Sequence, residues 1–293
     1  MGFQDEMSRL VKSLPGLRRH FLLSATEAEE IPRFVHMGRV EKIDYRMDEE
    51  QVPERVHIYK VESPVKDKLE SLGMLLRSLG DQSTIVFLNY RDSVERTNKY
   101  LVEQGFSTSF FHGGLEQKER EASLYRFSNG SANILVSTDL ASRGLDIPDI
   151  DNIIHYHMPE SEDGYIHRVG RTARWEAQGR AFFLLGPEEH IPDYVDAEVE
   201  DYEIPAVEEL PMPAKPKMAT LYIGKGKKDK ISKGDILGFL CKKGGLNSSE
   251  IGKIDVNDRY AYAAIARPKL RSVLNNVKGE KIKGVKTIVE EVR

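Results

Sequence analysis

The chain has 293 residues, of which 40% are hydrophobic and 31% charged, and its net charge of −4 is too small for a disordered protein. No apolar run approaches the roughly 18 residues of a membrane span, and the charged N-terminus does not resemble a secretory signal. The single cysteine, Cys241, excludes an internal disulfide framework and a cysteine-rich zinc site. We therefore expect a cytoplasmic protein that is not bound to a membrane and has no metal site of its own.

Between residues 56 and 185, short apolar runs rich in β-branched residues alternate with longer amphipathic stretches. The short runs predict strands at 56–61, 83–88, 107–111, 133–137, 152–156 and 180–185. The stretches between them predict helices at 66–79, 93–103, 116–128 and 165–172. Such alternation is typical of βαβ units, so we predict a doubly wound α/β domain with a parallel sheet.

The chain between residues 186 and 217 is acidic, with a net charge of −8, and it ends in a proline-rich stretch. The part from Pro187 to Val199 is compatible with a last helix of the α/β domain. Three prolines within residues 211–217 favour an extended linker. We therefore predict that a linker at 206–217 separates two domains.

Residues 218–293 form a second region, with a net charge of +9. Their pattern predicts strands at 220–223, 251–256, 261–266 and 285–292, and helices at 233–242, capped by Ser232, and 267–277. The resulting βαββαβ order is that of the split ferredoxin-like, RRM-like fold, which includes many small RNA-binding domains. The positive charge favours a polyanionic partner such as nucleic acid, and a solvated lysine-rich surface is the alternative.

Polar residues follow several predicted strands of the α/β domain, at the edge where open parallel sheets bind their ligands. Asn89 to Arg91, His112 to Gly114 and Thr138 to Asp146 follow three strands, and a helix containing His167 to Arg174 follows a fourth. Glycines let a backbone approach a ligand and arginines supply a fork that stays charged, so this edge is a candidate phosphate surface. For the last segment, a surface helix whose arginines pair with carboxylates is the alternative.

Several of these segments are motifs that occur in order along the chain. They are Ser24-Ala25-Thr26, Ile85-Val86-Phe87 with Asn89, His112-Gly113 with Gln117 and Arg120, Thr138-Asp139 with Arg143-Gly144-Leu145-Asp146, and His167-Arg168-Val169-Gly170-Arg171-Thr172-Ala173-Arg174. Together the motifs resemble those of the second RecA-like domain of DEAD-box RNA helicases. His167 favours the DEAD-box branch over the DEAH branch, whereas Ala173 departs from the usual glycine.

The resemblance implies an ATP-dependent RNA helicase and a role for each motif residue. The expected catalytic residues are the arginine fingers for the γ-phosphate, Arg171 and Arg174. The ATP-binding set is completed by Gly144 and by Asp146, which is implied to contact the ribose. Contacts to the RNA backbone are implied for Gly113, Gln117, Arg120, Thr138, Asp139 and Arg143. Coupling of the nucleotide state to unwinding is implied for Ser24, Thr26 and His167.

The region from 218 to 293 resembles the RNA-binding tail of the DbpA type of DEAD-box helicase, through Gly226-Lys227-Lys228-Asp229-Lys230 and Gly279-Glu280-Lys281-Ile282-Lys283-Gly284. The resemblance implies large-subunit ribosomal RNA, during ribosome assembly, as the partner. It implies RNA contacts from Lys227, Lys228, Lys230, Lys281 and Lys283. The predicted sheet offers as aromatic residues Tyr222, Tyr260 and Tyr262, so we expect the lysine loops to contribute more than base stacking.

The sequence contains neither a G-x-x-x-x-G-K-[ST] phosphate loop nor an Asp-Glu-Ala-Asp motif. Met1-Gly2-Phe3 resembles the residues just after that acidic motif, so we expect residues 1–38 to be a remnant of a first RecA-like domain and residues 39–205 to form the second. Phosphoryl transfer needs a phosphate cradle, Mg²⁺ ligands and arginine fingers together. We therefore expect a monomer that binds RNA alone but needs the missing first domain to bind and hydrolyse ATP with Mg²⁺.

Two other classes of function remain open. A stand-alone RNA-binding protein or RNA chaperone would use the same surfaces without catalysis. A metabolic α/β enzyme with a basic tail would need a cofactor loop or a nucleophile. The sequence shows neither a G-x-G-x-x-G loop after a strand nor a Cys–His or Ser–His constellation.

Overall fold

The computed structural model describes residues 4–16, 19, 21, 41, 43, 55–142, 150–172 and 178–292. The chain divides into two compact units, Met1–Gln51 and Val52–Arg293. In the first unit, helix α1 spans Gln4–Lys12, with acidic residues in its first turn and basic residues in its last. That order of charges complements the helix dipole. No helix in the described ranges is long and apolar enough to cross a bilayer.

The second unit contains a seven-stranded sheet, and we call the part of the chain that forms it, residues 56–201, the large domain. Its strands are β1 (Val56–Glu62), β2 (Thr84–Phe87), β3 (Thr108–Phe111), β4 (Ile134–Ser137), β5 (Asn152–His155), β6 (Gly179–Leu185) and β7 (Val199–Asp201). Its helices are α2 (Leu69–Leu79), α3 (Arg91–Glu103), α4 (Gln117–Ser128) and α5 (Glu162–Val169). The strand order is β3-β4-β2-β5-β6-β1-β7 and every pairing is parallel, which confirms the predicted fold class.

Both faces of the large sheet are covered by helices. Along β2 and just beyond it, Ile85 and Phe87 lie in an apolar cluster with side chains of α4 and α5, whereas Val86 and Leu88 lie in a cluster with α2 and α3. This alternation follows from the pleat of a strand, whose successive side chains point to opposite faces. Burial on both faces explains why the strands read as continuous apolar runs in the sequence.

Helix α5 begins and ends three residues earlier than the predicted helix at 165–172. The Ser161 hydroxyl caps its start by accepting a hydrogen bond from the Gly164 N–H at 3.1 Å. The helix ends at Val169, and Arg171 lies in the turn that follows. The helix predicted at 165–172 therefore lies three residues nearer the N-terminus and does not include Arg171.

The segment 187–199, which the sequence left compatible with a last helix of this domain, contains no helix. The segment forms turns, and the short strand β7 then pairs in parallel with β1. Two prolines in this segment lack the N–H that a helix interior requires, and its apolar side chains pack against the sheet from a loop.

The predicted linker at 206–217 contacts the large domain. The Arg77 guanidinium of α2 donates to the backbone oxygens of Leu210 at 2.6 Å and Pro211 at 2.7 Å. The Lys215 ammonium donates to the backbone oxygen of Gly105 at 2.7 Å, just after α3. Hydrogen bonds therefore hold the linker against α2 and against the turn that follows α3.

A four-stranded antiparallel sheet follows, and we call residues 218–291 the tail domain. Its elements are β8 (Met218–Ile223), α6 (Lys233–Lys242), β9 (Ile251–Val256), β10 (Ala261–Ala266), α7 (Leu270–Asn276), β11 (Lys281–Ile282), β12 (Val285–Lys286) and β13 (Val289–Glu291). The strand order is β13-β8-β10-β9, as the split ferredoxin-like prediction requires. The core lies between one face of this sheet and its two helices.

The end of the tail domain differs from the predicted single strand at 285–292. A two-stranded hairpin, β11 and β12, precedes the short strand β13. Its two-residue loop consists of Lys283 and Gly284, with φ values of 52° and 79°. Positive φ at both loop positions is the conformation that matches the twist of a tight hairpin.

Candidate functional site

The predicted strand-end residues meet at one edge of the large sheet, which we call the carboxyl edge. Asn89 follows β2, Gly113 follows β3, Thr138 and Asp139 follow β4, and His157 follows β5. Because these four strands are adjacent and parallel, their carboxyl ends lie side by side. The structure thus brings together candidate RNA contacts of two motifs, Gly113 with Thr138 and Asp139, and places Asn89 of a third motif beside them.

Arg168 of α5 holds this edge together from inside the domain. Its side chain is fully buried. Its guanidinium forms a fork on the Asp139 carboxylate, with contacts of 2.5 and 3.0 Å, and donates to Asn89 Oδ1 at 2.8 Å. It also donates to the backbone oxygen of His157 at 2.8 Å and lies 5.2 Å from the centre of the Phe87 ring. Arg168 therefore fixes the ends of three strands relative to one another.

The two histidines at the end of β5 are neutral parts of this arrangement. His155 is fully buried, stacked on Phe183 at 4.6 Å, with its Nδ1 3.5 Å from Arg168. Burial, and then the Arg168 charge, hold the pKa of His155 well below its usual value. Burial, and then the Lys68 charge, lower the pKa of His157, whose Nδ1 accepts from the Asn89 N–H at 3.1 Å.

Neighbouring side chains lie close to both glycines of the loop after β3. A β-carbon at Gly113 would lie 3.2 Å from Nη2 of Arg91, and one at Gly114 would lie 3.1 Å from Nδ1 of His112. That nitrogen accepts the Gly114 N–H at 3.1 Å. The Arg120 side chain donates to the backbone oxygen of Gly113 at 2.7 Å, so this candidate RNA contact also shapes the loop.

The other candidates on this side of the large domain differ in exposure. Gln117 is exposed in the first turn of α4, where its side chain donates to Glu121 Oε1 at 2.9 Å. Thr138 is half-buried, and its backbone N–H donates to the oxygen of Phe111 at 3.2 Å. His167 contacts Asp163, one turn earlier in α5, through its Nδ1.

Arg171 lies apart from the carboxyl edge. Its backbone oxygen accepts from the N–H of Ile150 at 3.3 Å, and Ile150 precedes β5. The arginines of the motif therefore separate, because Arg168 reaches the carboxyl edge from within α5 whereas Arg171 follows the helix end. The remaining candidates lie outside the described residues: Ser24, Thr26, Arg143, Gly144, Asp146 and Arg174.

Sequence reasoning missed Lys68, a buried cation at the carboxyl edge. Its ammonium donates to the backbone oxygens of Tyr156 at 2.5 Å and Leu184 at 2.9 Å, and to the carboxylate of Glu189. Burial lowers the pKa of Lys68. Burial would raise the pKa of Glu189, but hydrogen bonds from Lys68 and from the Gly186 amide lower it overall. A lone lysine before a helix gives no sequence signal for such a contact.

The first lysine loop of the tail domain has a fixed backbone and exposed side chains. The N–H groups of Lys227 and Lys228 donate to the backbone oxygens of Asn257 at 2.9 Å and Asp258 at 2.8 Å. A β-carbon at Gly226 would collide with the backbone oxygen of Asn257, so only glycine fits there. Both lysine side chains are exposed.

The first lysine loop, residues 226–230, contacts the second lysine loop, residues 279–284. The Lys283 ammonium donates to the backbone oxygen of Lys230 at 3.2 Å and pairs with Asp235 at 3.3 Å. Within the described ranges, Lys230 and Lys283 are the two non-glycine residues with positive φ, at 59° and 52°. Such backbone conformations are unfavourable for lysine and concentrate at functional sites. Lys281 is exposed on β11 of the same hairpin.

The tyrosines of the tail sheet lie on the face opposite its helices, and this face contacts α4. Tyr262 is 3% exposed and lies 5.0 Å from the Tyr125 ring of α4. The hydroxyl of Tyr125 donates to the backbone oxygen of Lys253, and that of Tyr260 donates to Glu121. Tyr262 therefore offers no open ring face to a base, whereas Tyr260 is half-buried at the margin of the contact.

Two sequence families match the chain. The helicase conserved C-terminal domain matches residues 67–176, and the DbpA RNA binding domain matches residues 220–291. The first match contains the carboxyl edge, and the second contains both lysine loops. They correspond to the two sheets that the structure places in one compact unit.

Relatives match over nearly the whole chain. The ATP-dependent RNA helicase DbpA of Escherichia coli (strain K12) is 33% identical over 293 residues, which cover 97% of this chain and 63% of that protein. The ATP-dependent RNA helicase DbpA of Bacillus subtilis (strain 168) is 28% identical, with 97% and 65% covered. The chain thus spans less than two thirds of the length of either relative.

A solved structure supports the fold. S. cerevisiae Dbp5 bound to RNA and ADP BeF3 matches with a TM-score of 0.55 and 23% identity, over 69% of this chain and 56% of that one. The likeness concerns the architecture of the domain and agrees with the parallel sheet described above.

Proposed function

Because the chain belongs to the DbpA type of DEAD-box RNA helicases, we propose that it provides the arginine fingers and an RNA-binding surface of an ATP-dependent helicase. Its substrate is structured RNA, whose short duplexes the complete protein separates locally when its domains close on ATP and RNA. The observation that carries this proposal is the carboxyl edge, where Arg168 and Arg120 hold three motif segments in one fixed arrangement.

The carboxyl edge suits an RNA backbone. Gly113 and Gly114 carry no side chain of their own, and the Arg91 guanidinium beside Gly113 offers a positive charge to a phosphate that approaches this loop. The exposed Gln117 and the half-buried Thr138 offer uncharged polar groups beside that loop. Since Asp139 is engaged by Arg168, we assign it a role in shaping the edge in addition to any RNA contact.

The nucleotide half of the proposal concerns Arg171 together with Arg174, Gly144 and Asp146. An arginine guanidinium stays charged and suits a triphosphate, so Arg171 would suit the γ-phosphate of ATP. When bound, ATP with Mg²⁺ supplies the phosphoryl group and the metal that neutralises its charge. Because the chain has no phosphate loop, we propose that it binds ATP poorly and does not hydrolyse it by itself.

The tail domain gives the proposal its RNA partner, which we propose to be large-subunit ribosomal RNA during ribosome assembly. Five predicted contacts are lysines on two touching loops, so the surface presents several charges to one stretch of phosphates. Affinity is expected to fall steeply with salt, because each phosphate contact releases counterions.

The test is RNA-stimulated phosphate release from ATP by this chain, with a structured ribosomal RNA fragment as probe and RNA binding measured in parallel. We expect RNA to bind and no phosphate to be released. Addition of a separately produced first RecA-like domain with a phosphate loop is expected to give release that Arg171→Ala abolishes. Release by the chain alone that depends on Arg171 would contradict the proposal.

The absence of a phosphate loop from the sequence also favours a second candidate, an RNA chaperone that works without ATP. It predicts faster annealing of complementary RNA strands by the chain alone, at the same rate with and without ATP. Annealing that is unchanged by the chain excludes this candidate and leaves the helicase proposal intact.

A further inference from the structure

A cleft between α4 and the tail domain borders the first lysine loop and contains residues that neither set of predicted RNA contacts includes. Its volume is about 600 Å³, and its lining includes Lys118 and Glu121 of α4, Tyr222 of β8, and Arg259 and Tyr260 just before β10. Lys227 and Lys228 of the first lysine loop complete the wall. The helicase motifs and the lysine loops therefore flank a third, shared surface.

The chemistry of this cleft is that of a site for single-stranded nucleic acid. The rings of Tyr222 and Tyr260 stack at 5.8 Å with an interplanar angle of 28° and are half-buried. The Lys118 ammonium lies 5.1 Å from the centre of the first ring and 5.8 Å from that of the second. Aromatic faces beside exposed cations are the combination that binds bases and phosphates of single strands.

The balance of charge in the cleft is positive. Four cations face two carboxylates, and Asp258 pairs with Lys228 at 3.8 Å. Both oxygens of Glu121 accept hydrogen bonds from neutral groups, one from the Gln117 amide and one from the Tyr260 hydroxyl. Glu121 keeps its negative charge, and the exposed Lys118 and Arg259 belong to a lining in which the cations outnumber the carboxylates.

Glu121 also joins this cleft to the carboxyl edge. One of its oxygens is bound by Gln117, a candidate RNA contact of the large domain, and the other by Tyr260 of the tail domain. The cleft thus begins one side chain away from the expected RNA path.

We propose that this cleft binds a single-stranded segment of RNA, with Lys118 and Arg259 on its phosphates and the tyrosine pair against a base. The proposal rests on the RNA-binding function proposed above and names a site for it between the two domains. Glu121 acts in it as a positioning residue, because it holds Gln117 and Tyr260 in place.

The test compares two fluorescent RNAs with the same hairpin, one blunt and one with a ten-nucleotide uridine extension, placed 5′ or 3′ in separate molecules. We expect the extended RNA to bind more tightly. The double variant Lys118→Gln, Arg259→Gln is expected to lose roughly tenfold in affinity for it at 0.15 M salt and less than twofold for the blunt hairpin. The salt slope for the extended RNA is expected to fall by about 0.7 per lost contact.

The matched control is Lys99→Gln on α3, whose side chain is 79% exposed and pairs with Glu103 on its own helix. Thermal unfolding checks that each variant is folded. Equal losses for both RNAs, or no difference from the control, would overturn the proposal, as would an extension that adds nothing to wild-type binding. In these cases RNA binding itself stands, whereas a chain that binds neither RNA refutes the proposed function too.

A second measurement does not depend on the variants. 4-Thiouridine in the extension is crosslinked by light, and the modified peptides are identified by mass spectrometry. Crosslinks in the peptides that contain Tyr222, Tyr260 or Lys118 support the site. Crosslinks confined to other peptides contradict it.

Discussion

The cations inside the carboxyl edge of the large domain and those of the first lysine loop of the tail domain are placed in opposite ways. In the large domain, Arg168 and Lys68 are buried, and each is bound to backbone oxygens and a carboxylate. In the tail domain, the lysines of the loop 227–230 are exposed, and hydrogen bonds hold the backbone beneath them. The buried cations Arg168 and Lys68 therefore determine the shape of a surface, whereas the exposed lysines of the loop 227–230 determine its charge.

This difference separates stability from affinity. Breaking a buried ion pair leaves an uncompensated charge and is strongly destabilising, whereas exposed charges contribute little to folding. We therefore expect substitutions of the buried cations to unfold the large domain, and substitutions of the exposed lysines to weaken RNA binding in a folded protein. The following experiments test that separation.

The largest effect is expected for Arg168→Ala, which should lower the free energy of unfolding by about 3–5 kcal/mol, because it removes a large, fully buried side chain and leaves Asn89 and the His157 backbone oxygen without their donor. Arg168→Lys should restore little, since a point charge cannot replace the fork. Urea unfolding measures both. The control, Arg96→Ala, breaks an exposed pair with Asp67 and should cost less than about 1 kcal/mol. Equal losses at Arg168 and Arg96 would contradict the comparison.

A pH effect is expected from His155. Its pKa is lowered in the folded protein by burial and by Arg168, whereas in the unfolded chain it titrates near 6.5. The unfolded state therefore binds more protons as the pH falls, and stability should be lost below about pH 6.5. His155→Phe should flatten this loss in urea unfolding between pH 7.5 and 5. His190→Gln, at an exposed histidine, is the control. If stability falls with pH as steeply in His155→Phe as in this control, His155 does not cause the loss.

A smaller effect is expected at the contact between the domains. Tyr125→Phe removes the hydrogen bond to the backbone oxygen of Lys253 and keeps the ring contact with Tyr262, so it should cost about 1 kcal/mol. Tyr90→Phe, on a ring that is 62% exposed, is the control and should cost nothing measurable. A loss at Tyr125 no larger than that of the control would mean that the contact adds no stability.

The smallest change in stability is expected for Lys230→Gly. Glycine relieves the positive φ of 59° but gains freedom in the unfolded chain, so the free energy of unfolding should stay constant or rise by up to about 1 kcal/mol. RNA affinity should nevertheless fall, because a charge is lost. Lys228→Gly, where φ is not positive, should lose both. A destabilised Lys230→Gly variant would contradict this account.

The architecture of both domains could be predicted from the sequence because it depends on local pattern. In residues 56–185, apolar runs that alternate with amphipathic stretches predict the parallel sheet. In residues 218–293, the βαββαβ order predicts the antiparallel sheet of the tail domain. The errors lie where local signals conflict with packing. The segment 187–199 has helical spacing, but its prolines and its contacts with the sheet make it a loop.

The carboxyl edge could be predicted as a set of residues but not as an arrangement. Position after a strand indicated Asn89, Gly113 and Thr138, since parallel strand ends meet at one edge. The internal role of Arg168, and its separation from Arg171, depend on where α5 ends and where a long side chain points. Likewise, no sequence pattern indicates that Glu121 is bound from both domains.

The ordered linker at 206–217 has a thermodynamic consequence. Arg77 and Lys215 bind its backbone and that of the large domain, so most of its conformational freedom is lost when the protein folds. A tether ordered in advance keeps the tail domain at a high effective concentration beside the helicase surface, without a further entropy cost at each binding event. Once the tail holds one part of an RNA, capture of a neighbouring strand by the large domain becomes an intramolecular step.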